Sequence, residues 1–209
     1  MRTLAQRVRG GDGEHYLING AKTWITNSGH GHGLLLLVFN DYRVSASRLL
    51  GGIEGRGFAQ IAGGLELGRI NVAARGAGIG QGALELALRY AQERSAFGKP
   101  IAEHQAIQLK LAEMVTRVEA SKLLIEQAAR KYDAGERCDM EAAMAKFFGS
   151  ETGVYCANEA MRIFGGYSYS TEYGIERYYR DAMLMCIGEG TNKILQTVIA
   201  RQLVARNKV

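Results

Sequence analysis

Proline occurs once in 209 residues, tryptophan once and cysteine three times. Proline removes a backbone donor and breaks helices, so its scarcity favours a helical protein. The cysteines (Cys138, Cys156, Cys186) are odd in number and far apart, with no C-x-x-C or Cys/His pattern. That argues against a disulfide framework or a metal site and fits a reducing cytoplasm. Long apolar runs are missing too. The longest, Leu34 to Phe39, is far short of the ~20 residues a bilayer needs. Met1-Arg2-Thr3 opens without the apolar core of a signal peptide. Neither charge sign dominates: 26 basic and 21 acidic residues are interspersed, for a net +5. Such a mild, mixed surplus does not make a nucleic-acid footprint, although it suits a phosphate-bearing small ligand.

What is present is ordinary in bulk. Hydrophobic residues are 47% and charged residues 22%, a composition that buries enough apolar surface to exclude disorder. The 27 glycines are about twice the usual ~7% share and need their own reason. The length allows one large domain or two small ones at ~150 residues each.

The character of the chain changes near residue 52. Before it, His15 to Gly20 and Lys22 to Thr26 read as strands flanking an Asn-Gly turn, and Leu34 to Phe39 as another strand. So few strands require a partner to cover them. After it, Ile107, Leu111, Met114, Val118 and Ile125 mark one helical face, beginning after Lys99-Pro100 and ending at Asp133-Ala134-Gly135. Further helices are predicted over Glu66 to Arg94, from an Asp139 N-cap to Gly165-Gly166, over Glu172 to Met183, and over Thr191 to Ala205. The predicted fold is mainly α: an antiparallel four-helix-type bundle over 53–209, with a small β segment over 1–52.

Two glycine motifs are decoys. Gly78 to Ala83 spells G-x-G-x-x-A, but the dinucleotide fingerprint requires a strand-to-helix turn. Here it lies inside a helical pattern and reads as a face kept small for a neighbouring helix. Gly29-His30-Gly31-His32 has no evident third metal ligand. Two other stretches carry chemistry. Arg94 to Ile101, followed by His104, Gln105 and Gln108, fits either an anion clamp or an exposed helix connection. Ile187-Gly188-Glu189-Gly190-Thr191-Asn192 sets a carboxylate between two glycines, open to a ligand, or else is an ordinary capping loop.

Together these pieces resemble the acyl-CoA dehydrogenase family of flavoproteins. The matching residues are Gly20 to Asn27, Gly68-Arg69-Ile70, Arg94 to Pro100 with Gln105 and Gln108, and Phe164-Gly165-Gly166 with Glu172, Arg180 and Asp181. Glu189 to Asn192 and Arg201-Gln202-Leu203 complete them, in order and register from about Leu49 to Ala205. The resemblance implies FAD as cofactor and α,β-dehydrogenation of an acyl-CoA thioester, as in fatty-acid β-oxidation. It implies Glu189 as catalytic base, electron-transfer flavoprotein as acceptor, and a dimer or tetramer. Position by position it implies FAD contacts at Trp24, Ile25, Thr26, Arg94, Ser95, Ala96, His104 and Gln105. Further FAD contacts fall on Arg162, Ile163, Phe164, Gly165, Gly166, Thr191, Asn192 and Lys193. Substrate contacts fall on Glu66, Arg69 and Gly190. A second base position used by some members is Gly68 here.

The departures are as specific. The family's leading helical domain, the first flavin-contacting loop of its middle β-domain and the strands expected between Val38 and Phe39 have no counterpart in this sequence. Arg162, Ser168 and Lys193 stand where Gln, Gly and Glu are usual. A second reading therefore follows: a non-catalytic partner or helical interaction module that lends FAD contacts to a longer homologous chain.

Overall fold

The computed structural model describes residues 3–10, 13–25 and 35–208. The chain divides into two compact units, Met1–Gln60 and Ile61–Val209. In the first, β1 (Thr3–Gly10), β2 (Gly13–Ile25) and β3 (Leu35–Ser45) form an antiparallel sheet in that order. The Asn19-Gly20 pair does not turn the chain, contrary to the sequence expectation. β2 runs straight through it, and the register shifts between Ile18 and Gly20, where Gly20 takes φ 145°. Asn19 instead reaches across to β3: its Nδ2 donates to Asp41 Oδ1 at 2.9 Å, and its Oδ1 accepts from Asp41 N–H at 2.7 Å. Asn-Gly is thus a bulge locked by a side-chain clasp. Thr26, Leu34 and the Gly29 to His32 stretch lie outside the described residues.

The second unit is helical. α1 (Gly57–Glu93) enters it from the first and is followed by a two-residue ribbon, β4 (Ser95–Ala96) with β5 (Lys99–Pro100). Then come α2 (Gln105–Asp133), α3 (Asp139–Phe164), α4 (Ile175–Ile187) and α5 (Asn192–Arg206). Cys138, not Asp139, is the N-cap of α3, and α4 starts three residues later than expected, after a left-handed Gly174. Among the described residues no helix is long and apolar enough to cross a membrane.

The contacts give the helix directions. Lys131 meets Glu141 at one end of α2 and α3 while Lys110 meets Glu159 at the other, so these two are antiparallel. Asn192 meets Lys146 and Arg206 meets Glu141, so α5 is also antiparallel to α3. On α4, Ile175 packs in the core with Phe164, while Cys186 faces Ser150. α4 and α5 therefore follow one another down the same side of α3. They fill the fourth column of the bundle, broken at residues 188–191.

The glycines explain how the columns meet. α1 and α3 run parallel and touch backbone to backbone. A Cβ at Gly76 would lie 2.6 Å from the Gly149 carbonyl oxygen, one at Gly149 2.8 Å from that of Ala73, and one at Gly153 2.7 Å from that of Gly76. Gly80 faces Thr152, Val118 and Cys156. The G-x-G-x-x-A match is thus part of a helix-packing face, with no strand before it. One core cluster joins Ala83, Leu84, Ala87 and Ala91 of α1 to Met114 and Val118 of α2 and to Cys156, Ala160 and Phe164 of α3. At the other end Ile70 and Ala73 pack with Ala128, Ala142 and Ala145.

That second end is tied by charge. Buried Glu141 accepts from Lys131 Nζ at 2.7 Å and from Arg206 Nη1 and Nη2 at 2.7 and 3.1 Å, joining α2, α3 and the last turn of α5. The Arg206 guanidinium, aided by Lys131, holds the Glu141 carboxyl down at about 2. A depressed carboxyl stabilises the fold above its unfolded value and loses that contribution as pH falls toward the folded one. Stability should therefore drop between about pH 4.5 and 2, by roughly 2–3 kcal/mol from this group. In Glu141→Gln the acid limb of the Tm–pH curve should be flatter, and the neutral Tm lower. A second expectation concerns packing. Gly149→Ala should cost about 1–3 kcal/mol by overpacking. Gly78→Ala, whose Cβ meets nothing within 4 Å, should gain up to ~1 kcal/mol of helix propensity. Urea unfolding of the two variants checks the contrast.

Candidate functional site

The break in the fourth column is the structural origin of the site. A helix cannot continue through Gly188-Glu189-Gly190. Glu189 takes φ 54° and Gly190 φ 92°, consecutive left-handed positions. For a residue with a Cβ this backbone is uncommon and must be held by its surroundings. The turn swings the Glu189 carboxylate against α1, where Gly68 leaves room for it. A Cβ at Gly68 would fall 2.7 Å from Glu189 Oε2 and 2.9 Å from its carboxyl carbon. The two positions implied as alternative bases are thus neighbours in space. Glu189 is exposed, and no hydrogen bond or ion pair claims its carboxylate among the described residues. Its lone pairs are free to accept a proton.

Beneath the turn lies a polar network that the sequence reading missed. Lys146 of α3 is wholly buried. Its ammonium donates to the Gly190 carbonyl and to Asn192 Oδ1, each at 2.9 Å. Ser150 Oγ donates to the same Oδ1 at 3.1 Å, and Asn192 Nδ2 donates to Glu151 Oε1 at 2.7 Å. Asn192, read as a cofactor contact, therefore has both side-chain heteroatoms engaged inside the protein. The signal for Lys146 was present: it is the lone charge in the small and apolar run Ala142 to Ser150, and a lysine there is buried only if bonded. Burial pushes its ammonium pKa down. Of the other expected substrate positions, Glu66 accepts from the Cys138 thiol at 3.3 Å. Arg69 has a buried Nε with no hydrogen-bond partner.

A second locus lies at the far end of the bundle. Arg94 ends α1, and its carbonyl accepts from Ile101 N–H at 2.8 Å. Phe97 (φ 54°) and Gly98 (φ 81°) turn β4 into β5, and a His104 ring nitrogen sits 3.1 Å from the Ala96 carbonyl oxygen. This ties Ser95, Ala96, His104 and Gln105 into one connection. The Arg94 guanidinium stands 5.8 Å from the Tyr167 ring centroid. Tyr90 stacks on Phe164 at 4.2 Å, with Tyr167 and Tyr173 edge-on. A cavity of about 460 Å³ is lined by Tyr90, Arg94, Ile101, Ile163 to Gly166 and Tyr167. Ile163 and Phe164 are themselves core residues, while Gly165 and Gly166 are open on the side a Cβ would occupy. Arg162 is exposed and paired with Glu159 at 3.0 Å. Thr191 and Lys193 are exposed at the start of α5.

Trp24 and Ile25 end β2 in the first unit. A cavity of about 510 Å³ in that unit is lined by Tyr16, Ile18, Val44, Arg7 and Glu54, among others. Arg7 and Tyr16 there both hydrogen-bond Glu54. Arg7, Tyr16 and Glu54 are thus engaged with one another, and Arg48 also lines the cavity.

Residues 55–204 match the family model for the acyl-CoA dehydrogenase C-terminal domain. A 3-(aryl)acrylate reductase of Clostridium sporogenes is 45% identical over 80% of this chain and 44% of its own length. A probable acyl-CoA dehydrogenase of Bacillus subtilis is 37% identical over 92% of this chain and 62% of its own. The solved butyryl-CoA dehydrogenase of Megasphaera elsdenii superposes with a TM-score of 0.88 at 33% identity, over 97% of this chain and 63% of that one. The chain spans about half the length of the curated relatives it matches.

Gly68→Ala tests the carboxylate's seat. The obstructed atoms are the far end of a flexible side chain, so the fold should keep its stability or gain up to ~1 kcal/mol. A crystal structure should show the Glu189 carboxylate swung away from α1 by about 1 Å or more, on the 2.7 Å clash.

Proposed function

The chain belongs to the acyl-CoA dehydrogenase family, and from that membership we propose that it acts as an FAD-dependent oxidoreductase introducing a Cα=Cβ double bond into an acyl-CoA thioester, with Glu189 as base. The observation that carries this reading is the unclaimed Glu189 carboxylate on a left-handed turn facing a side-chain-free position of α1. The residues fit the cofactor. A cavity lined by Arg94, aromatic rings and open glycines suits an anionic ligand bearing an aromatic ring. The orphaned Arg69 Nε is a donor without an acceptor among the described residues. Arg94 to Ala96, His104, Gln105 and Arg162 to Gly166 would hold FAD at the far end, and Thr191 to Lys193 nearer the base. Glu66, Arg69 and Gly190 would meet the acyl-CoA.

An α-proton beside a thioester is weakly acidic, so two groups must act together. The Glu189 carboxylate takes the α-proton, and that C–H electron pair becomes the new Cα=Cβ bond. The backbone N–H of Glu189 donates to the thioester oxygen as charge develops on it. The β-hydrogen leaves with its electron pair, and bound FAD supplies the acceptor for that hydride. Covering the carboxylate with substrate removes it from water and raises its basicity toward neutral pH. The electrons then pass to an electron-transfer flavoprotein, in a cytoplasmic β-oxidation setting. The Clostridium relative is named for reduction of an acrylate, a change of the same bond order in the opposite sense.

The exposed surface favours a second element of the reading, a homo-oligomer. Phe97 is 97% exposed beside Arg94, and Leu109 and Leu123 of α2 are 65% and 67% exposed. A dimer or tetramer would cover them. The same faces suit attachment to a longer homologous chain, which co-purification would reveal.

The purified chain mixed with FAD should show a bound-flavin absorption spectrum that bleaches when acyl-CoA is added without oxygen. Glu189→Gln should keep the spectrum and lose the bleaching rate by at least ~10²-fold, the scale of a positioned general base. A parent that binds no flavin, or a variant that bleaches as fast as the parent, overturns the reading.

A further inference from the structure

The broken fourth column raises a question the reaction alone does not answer: what holds a non-glycine residue at φ 54° beside a glycine at φ 92°? Backbone hydrogen bonds act only at the margins of the turn. Gly188 N–H donates to the Leu184 carbonyl at 2.9 Å, and Leu195 N–H to that of Thr191 at 3.1 Å. Between them, the described hydrogen bond that reaches the turn itself comes from α3, through Lys146 Nζ to the Gly190 carbonyl. We infer that Lys146 is the positioning residue for Glu189: by fixing the Gly190 carbonyl and Asn192 to α3, it sets the left-handed turn from which the carboxylate projects. This inference rests on the reading of Glu189 as the base.

Three features separate this role from ordinary core packing. First, Lys146 is wholly buried, yet among the described residues no carboxylate bonds its ammonium; its acceptors are a carbonyl and an amide oxygen at the two sides of Thr191. A lysine is removed from water for neutral acceptors only where those acceptors need a strong donor. Second, the acceptors need one. A helix break leaves carbonyls without intrahelical partners, and Asn192 is buried at the first position of α5. Third, the network is one-sided. Lys146, Ser150 and Glu151 all lie on α3, so turn and helix move together only if these bonds persist. The depressed pKa of Lys146 agrees with its desolvation, and Arg69, Glu151, Cys186 and Glu189 contribute to its field.

The test uses the full chain, first without cofactor. Backbone order parameters from 15N relaxation should be near the rigid value of ~0.85 for Glu189 and Gly190 in the parent. In Lys146→Met they should fall below ~0.6, while the rest of α3 and α5 stays rigid. Lys146→Gln, which returns a neutral donor, should lie between. Unchanged order at residues 189 and 190 in folded Lys146→Met overturns the inference. So does a loss spread evenly along α3 and α5, which would mark a general core lesion. If Lys146→Met does not fold, Lys146→Gln decides on the same readout; if neither folds, the role is structural and the inference falls. With FAD and acyl-CoA, Lys146→Gln should lower kcat about tenfold or more, the scale of a misplaced catalytic group, and leave KM within about threefold. An inactive parent would overturn the dehydrogenase reading while leaving the order-parameter result to judge this one.

Discussion

The contact on which the rest of the second unit depends is the backbone-to-backbone meeting of α1 and α3. In a four-column bundle with alternating directions, parallel columns sit diagonally, and side chains ordinarily keep them apart. Here Gly76, Gly149 and Gly153 remove those side chains, and carbonyl oxygens stand where Cβ atoms would otherwise be. Two consequences follow. Small residues such as Ala83, Ala87 and Ala160 share the core between the columns with Met114 and Val118. And α1 and α3 both come within reach of the fourth column, so that the break in that column is met by Gly68 from one helix and Lys146 from the other.

Two charges near the start of α3 are treated in opposite ways. At its start Glu141 is matched by two cations and held far below the usual carboxylate range; it is a tie between helices. About a turn and a half on, Lys146 is bonded to neutral oxygens and its pKa is pushed down. The first arrangement favours stability. The second sustains a strained turn, a cost of order 1–3 kcal/mol where it occurs, in a column that an uninterrupted helix would fill more simply. Strain at a ligand-facing turn held by a buried network marks a place where geometry matters more than stability.

Much of this was legible in the residues. The helices followed the apolar spacing of positions such as Met114 and Val118, and the small face of α1 was readable from its glycines. The Asn19-Gly20 error had a physical cause. Asn-Gly serves a hairpin turn and a bulge equally well, and the side chain of Asp41, twenty-two residues away, decides between them. Lys146 was passed over because its partner is a backbone carbonyl forty-four residues distant, a pairing that no local spacing encodes. The neighbourhood of Gly68 and Glu189 was likewise invisible to periodicity. It arises only when α1 and the broken column pack side by side.

The exposure of Glu189 bears on how its chemistry would be gated. A carboxylate in water is in general too weak a base for an α-proton at neutral pH. Its basicity must therefore come from what covers it. Gly68 offers no side chain to do so, and among the described residues no hydrogen bond claims the carboxylate. A ligand laid over the turn would exclude water from the carboxylate. The covering ligand would thus supply the desolvation that the turn itself does not. The turn's rigidity and the carboxylate's exposure thus belong together: the backbone is fixed in advance so that the ligand's binding energy goes to desolvating Glu189, not to ordering it.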